Sequence, residues 1–296
     1  MKGGKVKLLR VVQALRIFHW PKNALIFVPL AMAHGVLDLS LLLKTVAAFF
    51  AFGFCASSSY LLNDLFDLEA DRGHHQKQFR PFASGALPLR LGLLLAPALL
   101  VVSLLIAFQL PGRFLLTLGI YYALALSYTS YFKKMLFLDV LLLAGLYTIR
   151  LVAGGFAANV PLSPWFGAFS MFLFLSLALI KRSSELFNLR QQNSQGVIRR
   201  AYLPHDMEHL SMMGVASGYT SVLVIALYIN SPEVVRLYER PQMLWLICPV
   251  LLYWVSRLWI ITHRGGMPED PILFALKDKI SYVVGILIGF ILFLGS

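Results

Sequence analysis

The sequence predicts an all-α, polytopic membrane bundle of about nine transmembrane helices around a central cavity that opens to the cytoplasmic side. Hydrophobic residues make up 58% of the 296 residues and charged residues only 14%, and the mean hydropathy of +0.73 exceeds that of soluble proteins. Apolar stretches of spanning length recur along the chain without a linker or an internal repeat. We therefore expect one transmembrane domain over residues 1–296.

Nine apolar segments predict the spans, with edges defined only to within several residues. An amphipathic surface helix through Leu8, Leu9, Val12 and Leu15 is expected to lead into the first span. No small-residue cleavage site follows that span, so we interpret it as uncleaved rather than as a signal peptide. In chain order the segments are 20–34, 42–63, 89–110, 114–132, 136–157, 165–187, 210–230, 242–262 and 276–295.

The net charge of +12 follows membrane orientation. Lys and Arg concentrate in the loops on the side of the N-terminus, while Arg113, Arg236 and Arg240 fall on the other side. The positive-inside rule therefore predicts a multi-pass protein of the cell inner (plasma) membrane with a cytoplasmic N-terminus and an outer C-terminus. The lipid bilayer explains the charge without nucleic acid, and a homo-oligomer stays possible. Cys55 and Cys248 fall inside spans, which argues against a structural disulfide.

The end of the second span carries a cluster of polar and acidic residues. On a helix, Asn63, Asp64, Asp67 and Asp71 fall within an arc of roughly 100°. Three carboxylates on one face repel each other unless a divalent cation lies between them. Oxygen ligands suit Mg²⁺, which usually completes its shell with waters and phosphate oxygens. The pattern predicts a magnesium–phosphate site at the cytoplasmic membrane surface, with the three aspartates as ligands.

The loop that follows contains two candidate phosphate ligands, Lys77 and Arg80. Anchoring by the positive-inside rule explains these residues about equally well, and only the acids before them favour a binding role. The neighbouring His74 and His75 have no partners at zinc spacing, so we expect a solvated pair.

Further polar residues mark other span ends. Lys133 and Lys134 follow the fourth span, where snorkelling lysines are a strong alternative to substrate binding. Arg150 lies within the fifth span, roughly 16 Å along the helix from Asp139, too far for a direct ion pair. A guanidinium at membrane depth normally faces a polar cavity or a partner. We expect Arg150 to line the cavity, where it either binds an anion or neutralises a neighbouring acid.

Two more candidates lie near the sixth and ninth spans. Lys181 and Arg182 would form a second, cationic phosphate subsite if they face the acidic cluster, although Lys181 and Glu185 could simply form a surface ion pair. Asp278 could reach the metal or a sugar hydroxyl, and helix capping explains it at least as well.

Together these motifs resemble the UbiA superfamily of intramembrane prenyltransferases. Asn63-Asp64-x-x-Asp67-x-x-x-Asp71 is similar to the first aspartate motif of that superfamily. Further motifs resemble its decaprenyl-phosphate phosphoribosyltransferase branch: Trp20-Pro-Lys22-Asn23, Asp67-x-Glu-Ala-Asp71-Arg72, Lys77-x-Phe-Arg80-Pro81, Ile149-Arg150-x-x-Ala-Gly154-Gly155, Lys181-Arg182-x-x-Glu185-Leu and Ala275-Leu-Lys277-Asp278. The resemblance implies catalytic and Mg²⁺-binding roles for Asp64, Asp67 and Asp71. Substrate binding is expected of Lys22, Asn63, Arg72, Lys77, Arg80, Lys133, Lys134, Arg150, Lys181, Arg182, Glu185 and Asp278.

One departure from the superfamily pattern bears on the substrate. Members typically carry a second Asp-x-x-x-Asp motif near the sixth span, where this chain has Lys181-Arg182-x-x-Glu185. A cationic subsite suits a donor with an additional phosphate, such as 5-phosphoribosyl 1-diphosphate. The resemblance thus implies Mg²⁺-dependent phosphoribosyl transfer to a polyprenyl (decaprenyl-type) phosphate, with release of diphosphate, in the synthesis of arabinose precursors for glycolipids or the cell envelope.

Two alternatives stay open. The chain could transfer a prenyl group from a prenyl diphosphate to an aromatic acceptor, as UbiA-type prenyltransferases do. A transporter is the remote alternative, because the sequence shows neither the inverted repeats nor the broken mid-membrane spans typical of that class.

Overall fold

The computed structural model describes residues 2–73, 77–191, 201–268 and 270–296. Within these ranges every regular element is a helix and there is no strand, which confirms the predicted all-helical architecture. The predicted solvated pair His74–His75 lies outside the described residues.

Helices of very different length make up the described chain. The 3₁₀ segments are Ile17–Phe27, Gly35–Leu37, Lys77–Phe79, Phe132–Lys134, Pro204–Asp206 and Pro241–Leu246. The α-helices are α1 (Lys2–Ala14), α2 (Val28–Met32), α3 (Leu39–Phe66), α4 (Leu68–Arg72), α5 (Leu89–Ala107), α6 (Gly112–Ser130), α7 (Leu138–Ala157), α8 (Pro164–Gln191), α9 (Met207–Ile229), α10 (Pro232–Leu237), α11 (Ile247–His263), α12 (Pro271–Ala275) and α13 (Lys279–Gly295).

Six helical segments of the described chain are long and apolar enough to cross a membrane. They are Leu39–Phe66, Leu89–Ala107, Leu138–Ala157, Pro164–Arg190, Met207–Ile229 and Pro241–His263. The other three predicted spans coincide with α6, with the 17-residue α13, and with the first segment. That first segment is a 3₁₀ helix followed by the short α2, with Pro21 and Pro29 interrupting regular α-helical hydrogen bonding. The count of nine spans and the cytoplasmic cavity stay predictions.

The described chain divides into two compact units, the first formed by residues 1–131 and 149–161. In it, α3 packs along α5, and polar side chains join the two helices. The Ser58 hydroxyl donates to the Ala96 carbonyl and the Ser103 hydroxyl to the Ala51 carbonyl, both at 2.7 Å. Leu61 and Phe82 belong to the apolar core that α1, α3 and α5 share with the chain before α5. This packing fixes the C-terminal end of α3, where the acidic motif lies.

The second unit comprises residues 132–148 and 162–296, and α8 and α9 pack closely within it. Ser176 donates to the Gly214 carbonyl at 2.7 Å and accepts from the Trp259 indole at 3.0 Å. A Cβ at Gly214 would lie 2.0 Å from the Trp259 ring, so α9 and α11 approach this closely only because residue 214 has no side chain. The expectation of a single domain over residues 1–296 stays a prediction.

Candidate functional site

The acidic motif lies where α3 ends and α4 begins. The helix is interrupted at Asp67, yet its hydrogen-bond ladder continues: the Asp67 amide donates to the Asn63 carbonyl at 3.0 Å and the Asp71 amide to the Asp67 carbonyl at 2.7 Å. Asn63, Asp67 and Asp71 therefore keep the one-turn spacing that places residues on one helical face, as the sequence predicted.

Two of the three carboxylates are deeply buried, because Asp64 is 3% and Asp71 is 1% exposed. Arg80 bridges them: its Nη1 donates to Asp64 Oδ1 at 3.1 Å and to Asp71 Oδ2 at 2.6 Å. The structure thus brings Asp64, Asp71 and Arg80 together, while Asn63 and Asp67 are half-buried beside them in the chain. One guanidinium that serves two buried acids offsets their desolvation and their mutual repulsion.

Arg16 is a residue of this cluster that sequence reasoning missed. Its Nη2 donates to Asp64 Oδ1 at 2.6 Å, and its guanidinium carbon lies 4.8 Å from the centre of the Tyr60 ring. The two partners of the ion pair are 48 positions apart, and no motif links them. Basic residues are common near predicted surface helices, so the sequence offered no signal that singled out Arg16.

The cluster has the donor chemistry of a hard-cation site, since its acids supply only oxygen ligands. Buried carboxylates require positive charge nearby, and in this structure Arg16 and Arg80 supply it. Among the residues that the structure describes, no three His, Cys, Asp or Glu side chains converge as a metal-binding group. In ligand type the residues fit Mg²⁺, but the assignment of Asp64, Asp67 and Asp71 as its ligands stays a prediction.

Two other predicted binders are Arg72, the last residue of α4, and Lys77 in the loop that follows. Arg72 is exposed and its Nε donates to the Ala83 carbonyl at a long 3.4 Å. Lys77 is half-buried at the start of a 3₁₀ turn. Their contact with a substrate stays a prediction.

A second polar cluster of the first unit surrounds Arg150, which is 4% exposed. Its Nε donates to Asn23 Oδ1 at 2.9 Å and its Nη2 to the Tyr121 hydroxyl at 3.0 Å. Lys22, beside Asn23 in the sequence, is buried as well, at 6% exposure. Both of these partners are neutral oxygens, and the predicted anion-binding role of Arg150 stays a prediction.

The end of α8, in the second unit, holds a different kind of ion pair. Arg182 is 1% and Asp139 is 0% exposed, and Arg182 Nε donates to Asp139 Oδ2 at 2.6 Å. Arg182 Nη1 also pairs with Glu185, the residue that the sequence had offered as a possible partner of Lys181. Lys181 itself is less buried than Arg182. Two acids thus share the charge of Arg182.

Tyr202 completes this network and was not predicted. Its hydroxyl donates to Asp139 Oδ1 at 2.6 Å and accepts from the Phe137 amide at 2.9 Å. Burial, and then the hydrogen bond to Asp139, raise the pKa of Tyr202 above its usual range. This network connects the segment before α9 to the start of α7. Tyr202 and Asp139 are 63 positions apart, so the sequence did not reveal the contact.

The last predicted residues lie elsewhere in the second unit. Asp278 caps α13 by accepting from the Ser281 amide at 2.9 Å, and it accepts two hydrogen bonds from Arg257 at 2.7 and 2.9 Å. Burial alone would raise the pKa of Asp278, but the hydrogen bonds from Arg257 and Ser281 outweigh it and lower the pKa. Of the alternatives for Asp278, the structure contains the helix cap. Lys133 is half-buried and Lys134 exposed in a 3₁₀ turn.

Residues 24–266 match the family model of the UbiA prenyltransferase family. The chain is 38% identical to the uncharacterized protein y4nM of Sinorhizobium fredii over 93% of its own length, and it spans about half (54%) of that relative. It is 33% identical to the nodulation protein NoeC of Azorhizobium caulinodans, over 98% of this chain and 94% of that protein. It is 31% identical to the decaprenyl-phosphate phosphoribosyltransferase of Mycobacterium tuberculosis, over 91% and 88% of the two chains.

Solved structures agree on the fold. A UbiA homolog from Archaeoglobus fulgidus, solved with GPP and Mg²⁺, superposes with a TM-score of 0.71 over 97% of this chain and 98% of that one, at 18% identity. The family match and the six apolar helices identify a multi-pass membrane protein of a transferase family. The chain belongs to the UbiA prenyltransferase family.

Proposed function

We propose that the chain transfers the 5-phosphoribosyl group of 5-phosphoribosyl 1-diphosphate to a polyprenyl phosphate of the decaprenyl type and releases diphosphate. The observation that carries the proposal is that α8 ends in Lys181-Arg182-x-x-Glu185 in place of a second Asp-x-x-x-Asp pair. Arg182 pairs with Asp139 and Glu185, so Lys181 is the residue that we propose to bind the donor's additional phosphate. Similarity to decaprenyl-phosphate phosphoribosyltransferases along about nine-tenths of the chain (91%) supports it. The product would serve as an arabinose precursor for glycolipids or the cell envelope.

The acidic end of α3 would bind the donor's diphosphate through Mg²⁺ held by Asp64, Asp67 and Asp71, with Asn63 bonding nearby. The bound ion would neutralise negative charge that develops on the departing diphosphate. The buried state of Asp64 and Asp71 favours this role, because electrostatic interactions are strong where water is excluded. Mg²⁺ in the Archaeoglobus fulgidus relative makes the same ion a reasonable choice here.

Basic side chains of the first unit would bind the phosphates that remain. Arg80 already holds two carboxylates and could present its other nitrogens to a phosphate oxygen. Arg72 and Lys77 continue the same loop. Lys22 and Arg150 are buried cations that could hold an anionic head group within the membrane span. Lys133, Lys134, Lys181 and Glu185 are proposed as phosphate and sugar contacts on the resemblance alone. Asp278 caps α13 and pairs with Arg257, so its proposed role is structural.

The bond changes require no general base. One oxygen of the acceptor phosphate forms a bond to the ribosyl C1 as the bond from C1 to the diphosphate oxygen breaks, and diphosphate leaves with the electron pair. The acceptor phosphate is already anionic at neutral pH, so no proton needs to be removed. An aromatic acceptor would raise the question of proton removal, which is one reason to prefer the phosphoribosyl donor.

Incubation of the purified protein with Mg²⁺, labelled 5-phosphoribosyl 1-diphosphate and a polyprenyl phosphate tests the proposal. We expect label to enter the lipid fraction in a Mg²⁺-dependent way and free diphosphate to appear in equal amount. A parallel reaction with geranyl diphosphate and an aromatic acid tests the alternative. Prenylation of the aromatic acid without labelling of the lipid would replace the proposed function with prenyl transfer.

The proposed donor is water-soluble, so the active surface should face the cytoplasm at the inner membrane. With a cytoplasmic N-terminus, impermeant reagents should label a cysteine placed in the loop 77–88 only from the cytoplasmic side, and one placed at Ser296 only from outside. Labelling of the loop from outside would overturn this orientation.

A further inference from the structure

Arg16 and Arg80 converge on a single oxygen atom of the acidic cluster. Asp64 Oδ1 accepts from Arg16 Nη2 at 2.6 Å and from Arg80 Nη1 at 3.1 Å. A carboxylate oxygen has two lone pairs, and two N–H donors engage both of them. If this oxygen is to coordinate a metal ion, one of the two guanidinium groups must give up its contact.

Of the two arginines, Arg16 is the one placed to yield. Arg80 also donates to Asp71 at 2.6 Å, so withdrawing it would uncover two buried acids at once. Arg16 contacts Asp64 alone among the acids of the cluster, and its guanidinium also lies 4.8 Å from the centre of the Tyr60 ring. A cation–π contact can retain the guanidinium after its hydrogen bond to Asp64 is broken.

Arg16 lies in the turn between α1 and the first 3₁₀ segment, where its amide donates to the Gln13 carbonyl at 3.2 Å. Arg16 adopts the left-handed conformation, with φ 50° and ψ 42°, which is unfavourable for a residue with a side chain. The neighbouring chain holds it there: the Ser57 hydroxyl donates to the Leu15 carbonyl at 2.7 Å and accepts from the Trp20 indole at 3.0 Å. Such unfavourable conformations persist where the surroundings impose them, typically at functional sites.

We propose that Arg16 is a positioning residue that competes with a divalent cation for the Asp64 carboxylate. It orients Asp64 through a charged hydrogen bond and yields that oxygen when the cation binds, which sets the affinity of the site for the metal. This inference rests on the proposed function, because it takes Asp64 as a ligand of the catalytic metal.

Mn²⁺ titration of the detergent-purified protein, followed by electron paramagnetic resonance of free Mn²⁺, tests the proposal without an activity assay. Arg16→Gln should lower the dissociation constant for Mn²⁺ about tenfold, since a charge-assisted hydrogen bond no longer competes. Arg16→Lys keeps the charge without the planar fork and should lower the constant about threefold. The Arg16→Lys variant also keeps the proposal testable if Arg16→Gln does not fold. Mg²⁺ should raise the Tm of Arg16→Gln more than that of the wild type.

Arg10→Gln is the matched control, because it removes the same charge from α1 and Arg10 donates to Gln13 instead of an acid. It should leave the Mn²⁺ affinity within twofold of wild type. Equal tightening by Arg10→Gln and Arg16→Gln would mean a general charge effect and would overturn the proposal, as would unchanged or weaker Mn²⁺ binding in Arg16→Gln. If Asp64→Asn binds Mn²⁺ as tightly as the wild type does, the proposed metal site is wrong, and this inference is wrong with it.

Discussion

Two charged clusters of this chain differ in how their charges are neutralised. At the end of α3, the acids Asp64 and Asp71 are held by Arg16 and Arg80, whose side chains are 16% and 25% exposed. At the end of α8, Arg182 and Asp139 are 1% and 0% exposed. The first cluster keeps its cations near solvent, where a ligand can exchange with them. The Arg182–Asp139 pair of the second is sealed and is part of the packing, while Glu185, the other partner of Arg182, is 24% exposed.

This contrast separates a catalytic role from a structural role, whereas the sequence had predicted ligand binding at the ends of both helices. A buried pair in which every charge has a partner stabilises one arrangement of the chain, and breaking it leaves an uncompensated charge. Acids whose cations come from partly exposed side chains can accept another cation at smaller cost. We therefore expect substitutions at α3 to affect catalysis and substitutions at the Arg182 pair to affect stability first.

The largest effect should come from Asp64→Asn or Asp67→Asn. Each removes charge from a site proposed to balance Mg²⁺, so turnover should fall below detection while the protein stays folded, as checked by size-exclusion chromatography and circular dichroism. Glu69→Gln, an exposed acid on α4, is the matched control and should keep normal turnover. Near-normal rates for either aspartate variant at saturating Mg²⁺ would remove that residue from the mechanism.

Asp139→Ala tests the sealed cluster. Removal of one partner of a buried ion pair typically costs about 3–5 kcal/mol, and the free energy of unfolding in detergent should fall by that amount. Glu208→Gln, an exposed acid of α9, should change stability by less than about 0.5 kcal/mol.

A double variant isolates the ion pair. Arg182→Leu added to Asp139→Ala should recover part of the lost stability, because Asp139→Ala leaves the buried Arg182 Nε donor without its acceptor while Glu185 still pairs with Nη1, and Arg182→Leu removes that donor. If Asp139→Ala unfolds at the same denaturant concentration as the wild type, the pair is not structural and the contrast between the clusters breaks down.

The kinetics of Lys181→Ala test whether the end of α8 binds the donor in addition to its structural role. Lys181 is the less buried of the two predicted cations, and a charged contact to a phosphate is worth about 1.5–3 kcal/mol. The kcat/KM for 5-phosphoribosyl 1-diphosphate should fall about ten- to a hundredfold through KM, with a smaller change in KM for the lipid phosphate. Arg182→Ala should lower stability as well as donor affinity.

The complementary measurement uses a ribosyl 1-diphosphate that lacks the 5-phosphate. The wild type should discriminate against this donor, and Lys181→Ala should discriminate much less. Equal use of both donors by the wild type would contradict a 5-phosphate subsite and favour a prenyl diphosphate as donor.

Local sequence pattern predicted much of this architecture. Long apolar runs predicted α3, α5, α7, α8 and α9, because spanning helices need only length and hydropathy. The one-turn spacing of Asn63, Asp67 and Asp71 likewise follows from helix geometry. The broken first segment shows the limit, since its composition is apolar but Pro21 and Pro29 disrupt the helix.

Partners distant in sequence could not be predicted. Arg16 reaches Asp64 across 48 positions and Tyr202 reaches Asp139 across 63. Tertiary packing decides such contacts, and a lone Arg or Tyr carries no local signature. The sequence therefore singled out Asp64, Asp71, Arg80 and Arg182, whereas Arg16, Asp139 and Tyr202 join these clusters only through tertiary packing.

The smallest effect should come from Asp278→Asn. Asp278 and Arg257 form a third charged group, which we expect to be structural like the pair of Arg182 and Asp139. Asp278 caps α13 and pairs with Arg257, so its loss should cost about 1 kcal/mol of stability with little change in kcat. The folded-state pKa of Asp278 is lowered, so its contribution is present above the ordinary aspartate pKa and is lost as the pH falls through the folded value. Acid unfolding of the wild type should therefore be steeper than that of Asp278→Asn below about pH 4. Identical acid-unfolding curves would exclude this stabilising role, and a large loss of kcat with unchanged stability would return Asp278 to the substrate site.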